Sequence, residues 1–122
     1  GFFSVLREYP AYPNPHLRTN TFFAARDTLL SIDVPEIRTK PDSSLFESGW
    51  RNMTRQILKQ GGEVLVVDAR GRTYPVSEWA RSDTFWHGDQ SGLLVADKQT
   101  RMYRDADPAL QDDLCWSTWR SD

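Results

Sequence analysis

Cysteine is nearly absent from this chain of 122 residues: Cys115 stands alone, which excludes an intrachain disulfide framework and any metal knuckle built from several thiolates. Its neighbour Trp116 gives no electropositive setting to activate it, so a buried structural thiol is expected. Long apolar runs are missing too. The longest, residues 22–25, 64–67 and 93–96, hold four residues each, against the roughly 20 needed to cross a bilayer. No membrane span is expected. Histidine is scarce, and His16 and His87 are far apart in sequence, a poor start for acid–base chemistry that needs convergent titratable groups. The chain also lacks a Gly-x-Ser-x-Gly elbow, a phosphate-cradling glycine loop and a dinucleotide fingerprint. With 15 basic against 17 acidic residues and no concentrated basic stretch, it has little with which to displace counterions from phosphates. These absences point away from an enzyme, a cofactor or metal protein, a nucleic-acid binder and a small-molecule receptor.

What is present suggests one soluble domain with an appendage. Hydrophobic residues make up 39%, enough for a core but with little apolar surplus. Pro10, Pro13, Pro15, Pro35 and Pro41 fall early, whereas all five tryptophans lie from Trp50 onward. Each X-Pro step favours extended geometry in the preceding residue, so residues 1–43 are expected to form an extended arm, interrupted by a short helix near residues 21–30, and residues 44–122 a domain. The chain opens on Gly1 without an initiator methionine or a charged-then-apolar leader, which suggests a processed form, mitochondrial or from another processing compartment, with the periplasm as the alternative.

Within the domain, Ser44 and Glu47 have capping-box spacing, and Phe46, Trp50, Met53 and Ile57 recur at helical intervals, predicting a helix over 44–60 that Gly61 closes in a left-handed cap. Two segments then align at an offset of 29 residues: 64–68 (VLVVD) with 93–97 (LLVAD), followed by Arg72 and Tyr74 matching Arg101 and Tyr103. Each reads as an apolar strand, a turn opened by aspartate and a return strand, that is, a β-hairpin. Asp68 to Gly71 suits a type I turn; Asp97 to Thr100 lacks the glycine. The expected fold is therefore α+β: a small antiparallel sheet of two β-hairpins covered by one amphipathic helix. One helical turn near 77–81, a polar loop over 82–91 and a last helix from Pro108, capped by Asp107, complete it.

Ordering the arm costs on the order of 40 to 80 kcal/mol in backbone entropy, and its apolar residues lack the spacing of a second core. Something must offset that cost. The expected function is a non-catalytic accessory subunit that clamps other protein subunits through Phe2, Phe3, Tyr9, Tyr12, Leu17, Phe22, Phe23 and the loop residue Trp86. One alternative is a secreted or periplasmic inhibitor or immunity protein whose 82–91 loop and acidic C-terminus (Asp105, Asp107, Asp112, Asp113, Asp122) block a cleft. The other is a ligand-binding module or enzyme using His87 and Asp89, set against the plainer account in which these residues only make a turn.

Overall fold

The computed structural model describes residues 8–18 and 20–120; Phe2 and Phe3, two of the expected contact residues, lie outside them. The class is α+β. Among the described residues there are five α-helices, one 3-10 helix and a two-stranded antiparallel sheet. By its internal contacts the chain divides into two compact units, residues 1–64 and 65–122. Residues 44–64 thus cluster with the arm, and the border lies one helix pair beyond the place the proline distribution suggests.

The first unit holds α1 (Arg26–Leu30), α2 (Lys40–Ser48) and α3 (Met53–Lys59). The start of α2 lies four residues ahead of Ser44. The Thr39 hydroxyl accepts from the Asp42 amide at 3.3 Å while the Asp42 carboxylate accepts from the Thr39 amide at 3.1 Å, a reciprocal capping box. Pro41 sits in the first turn, where an absent N–H is no loss. Ser44 and Glu47 lie inside the helix instead of opening it.

The single helix expected over 44–60 is broken, and Gly49 and Asn52 break it. Gly49 is extended, with ψ −174°, and a Cβ there would lie 2.6 Å from the Leu45 carbonyl oxygen. Asn52 is fully buried. Its Nδ2 donates to the Gly49 carbonyl at 2.8 Å and its Oδ1 accepts from the Arg55 amide at 2.8 Å, so one side chain closes α2 and caps α3. The bend carries Trp50 off the apolar stripe into solvent (53% exposed), while Met53 and Ile57 stay buried, as do Ile32 and Val64. The stop signal behaves as expected: Gly61 has φ +80°, and the amides of Gly61 and Gly62 return to the carbonyls of Leu58 and Ile57 at 3.0 and 2.9 Å, a Schellman motif.

The second unit begins with the hairpin of β1 (Val66–Val67) and β2 (Thr73–Tyr74), in the register Val66 to Tyr74 and Val67 to Thr73. The Gly71 amide donates to the Asp68 carbonyl at 2.9 Å, which closes the expected turn. The 3-10 helix (Val76–Ser82) packs on both strands, in the role the sequence pattern assigns to the 44–60 helix. The second hairpin does not form. Residues 93–96 are irregular, and α4 (Lys98–Asp105) starts where a turn is expected because Asp97 and Thr100 make a capping box, with the Thr100 amide donating to Asp97 at 3.0 Å and the Asp97 amide to the Thr100 hydroxyl at 2.9 Å. Pro108 opens α5 (Pro108–Trp119), with the Asp107 carboxylate accepting from the Leu110 amide at 2.9 Å. It outlasts the expected end at Cys115 by a turn, and its last residue, Trp119, is anchored through Nε1 to the Phe85 carbonyl at 2.8 Å. Cys115 is buried. No helix among the described residues is long and apolar enough to cross a membrane.

Candidate functional site

Two places carry the residues singled out by the sequence, one in each unit. In the first unit the arm is tied down by polar groups. The Tyr9 hydroxyl meets the Ser44 hydroxyl at 3.0 Å, Asn14 Nδ2 donates to the Ser48 carbonyl at 2.8 Å, and the Leu17 amide donates to the Thr54 hydroxyl at 2.8 Å. His16 Nδ1 donates to the Asn14 carbonyl at 2.7 Å and so shapes the strip itself. Further along, Gln56 on α3 and Gln60 at its C-terminal cap, four residues apart, grip the main chain of residues 31–33. Gln56 accepts from the Asp33 amide at 2.7 Å and donates to the Asp33 carbonyl at 3.0 Å. Gln60 accepts from the Ser31 hydroxyl at 3.0 Å. Between them Ile32 is the one buried apolar side chain among the described residues of the arm.

That polar clasp leaves the apolar side chains outside. Phe22, Phe23, Leu29, Leu30, Val34 and Ile37 are all exposed, Phe23 to 89% and Leu30 to 66%. Of the expected contact residues in this unit, Tyr12, Phe22 and Phe23 are exposed, whereas Tyr9 and Leu17 are half-buried and serve the clasp. The glutamines that order the segment were not singled out from sequence. Their signal was the i, i+4 spacing of two long amides, the second at the cap of a helix otherwise read for its apolar stripe.

In the second unit the 83–92 loop holds Trp86, His87 and Asp89. Asp83, Trp86 and Gln90 adopt positive φ of 51°, 48° and 55°, with Gly88 at 57°, and such backbone persists only when its surroundings over-determine it. They do. Gln90, buried, accepts from the Trp86 amide at 3.0 Å and donates to the Thr100 carbonyl at 3.0 Å. Trp86 stacks on Phe85 with ring centres 4.6 Å apart and donates from Nε1 to the Gln99 carbonyl at 3.1 Å. The Tyr103 hydroxyl donates to the Gly88 carbonyl at 2.7 Å. Burial first, and then Cys115, Asp112, Asp83 and Asp89 nearby, raises the Tyr103 pKa above its ordinary value.

His87 and Asp89 do not pair. His87 Nδ1 meets Asp83 Oδ1 at 2.5 Å, and Asp89 turns to the Ser91 amide at 2.9 Å; that amide first, and then the Ser91 hydroxyl, lowers the Asp89 pKa. Asp83 was the missed partner, one helical turn before His87 in spacing yet held there by left-handed backbone that no sequence period announces. The arrangement can orient an imidazole. Among the described residues no group of three or more His, Cys, Asp or Glu gathers at metal-ligating distance.

Comparison of the chain with protein-family models, with curated proteins and with solved structures gives no match.

Proposed function

We propose that this chain is a non-catalytic interaction protein, an accessory subunit that docks on a neighbouring protein through the 22–37 segment of its first unit. One observation carries the reading: six large apolar side chains stand exposed in a segment whose main chain is held by polar bonds. Each such bond contributes about 1 kcal/mol net, a small return for ordering the segment. Covering the six side chains would contribute on the order of 5 to 10 kcal/mol before the cost of association. Segments that are stitched by amides and aromatic at the surface suit an interface better than an interior.

The test is the size of the native complex. Size-exclusion chromatography of the wild-type chain with its co-purified neighbours should give a species larger than 14.1 kDa, and the Phe23→Ser, Leu30→Ser double variant should shift it to the monomer position with its circular dichroism unchanged. A wild-type chain that runs as a monomer free of neighbours, or a double variant that stays in the complex, ends the reading.

A further inference from the structure

Alongside the same glutamine clasp runs an open groove of about 690 Å³. Its cations come from one stripe of chain at intervals of four: Arg51, Arg55 and Lys59. Trp50 and Leu58, both exposed, supply apolar surface beside them, and Pro15 also lines the groove. The Arg55 guanidinium lies over the Trp50 ring, 5.0 Å from its centre, and its Nε donates to Asn14 Oδ1 at 3.4 Å, contacts that hold the cation in place.

We propose that this groove is a docking site for an acidic peptide segment of a partner protein, its carboxylates on Arg51, Arg55 and Lys59 and an apolar side chain against Trp50 and Leu58. The groove lies on the unit already read as the docking body, so its occupant is inferred on that reading. The chemistry is displayed by the chain itself: the Asp33 carboxylate already sits on Arg51 with Nη2 to Oδ2 at 2.6 Å, a carboxylate at the first place of the stripe. Arginine presents a planar fork that fits carboxylates, and the three cations of the lining outnumber the one carboxylate, Asp33, paired beside them, an excess that favours the opposite sign. The mixture of charge and grease distinguishes this ligand from a nucleic acid. A single-stranded nucleic acid needs a basic track and successive stacking faces, and here one tryptophan stands beside three cations.

The experiment titrates the full chain with a short synthetic peptide of glutamates interspersed with leucines, followed by tryptophan fluorescence. Saturable binding is expected, weakening as salt rises. Lys59→Glu and Arg55→Glu should each weaken it by roughly threefold to tenfold with circular dichroism unchanged, and Trp50→Ala should remove most of the fluorescence response. Arg70→Glu, the same charge change on the hairpin turn of the other unit, should leave the affinity at wild type. An equal effect of Arg70→Glu would make the binding a matter of net charge and overturn the site. So would a glutamine-for-glutamate peptide that binds as well, or a short RNA that displaces the peptide at lower concentration. Phe23→Ser separates this proposal from the one before it: a chain that ignores the peptide while Phe23→Ser, Leu30→Ser still dissolves the native complex loses the groove and keeps the docking segment.

Discussion

Residues 65–74 and 94–103 share an apolar lead, an aspartate, an arginine four residues later and a tyrosine two after that, yet the first is a hairpin and the second an exposed stretch running into a helix. The position three residues after the aspartate separates them. Gly71 takes φ +82°, which closes the turn. Asp68 then accepts from the amides of Arg70 and Arg72, each at 2.9 Å, and from the Tyr74 hydroxyl at 2.8 Å. Thr100 in the matching place returns a hydroxyl to the Asp97 amide, so the same aspartate becomes a helix cap. Lys98, Gln99, Arg101 and Met102 favour that helix, while Thr73 favours a strand. An aspartate is an instruction to turn, and its third neighbour says which way.

Four changes test this contrast, in order of decreasing effect. Gly92, which precedes the second copy where Glu63 precedes the first, lies against the hairpin turn: the Ala69 amide donates to its carbonyl at 2.8 Å, and a Cβ there would sit 2.0 Å from the Ser82 carbonyl oxygen. Gly92→Ala should destabilise by about 3 kcal/mol, read in a denaturant titration, and a wild-type midpoint would mean that the loop does not seat on the turn. Gly71→Ala meets no atom within 4 Å, so only the left-handed backbone is strained, at about 1 to 2 kcal/mol. Hydrogen exchange should then accelerate in the hairpin and leave α4 unchanged. Thr100→Val keeps the buried volume and removes the reciprocal bond, for about 1 kcal/mol, with faster exchange confined to the first turn of α4.

The smallest effect is on pH dependence. Burial opposes ionisation of Asp68, but the Tyr74 hydroxyl, the Arg72 and Arg70 amides and the Arg72 charge outweigh it, and the pKa falls below the ordinary 3.8. A depressed folded-state pKa gives stability that is complete above the ordinary value and is lost as pH falls through the folded one. The same hydrogen bond raises the Tyr74 pKa above 10.0, so its contribution is complete below that value and is lost as pH rises through the folded pKa. Thermal midpoints should therefore fall at both ends, and Asp68→Asn should flatten the acid limb. An acid limb unchanged in Asp68→Asn would place the sensitivity elsewhere.

The first hairpin, the glycine stop after α3, the 77–81 turn and the Asp107 cap were legible because each rests on chemistry within a few residues. The break between α2 and α3 was not. Gly49 and Asn52 look like tolerable interruptions of an apolar period, and only their joint hydrogen bonding, with Asn52 buried, makes them a joint. The partner of His87 was not legible for a related reason: Asp89 is nearer in sequence, but left-handed backbone at Asp83 and Trp86 brings the Asp83 carboxylate to the ring. Exposure of Tyr12, Phe22 and Phe23 followed from the arm's irregular spacing, whereas the roles of Tyr9 and Leu17 in tying the arm needed Ser44 and Thr54 to be in place.

By itself the sequence determined what short-range bonds can enforce: the α+β class, the caps and the turn at Gly71. Tertiary structure decided which residues would share a unit, which aspartate would meet His87, and that Arg51, Arg55 and Lys59 would line one groove. Caps and turns are settled within about one helical turn of chain by backbone geometry, whereas those pairings depend on distant segments meeting, and their energies exist only after the chain has closed on itself.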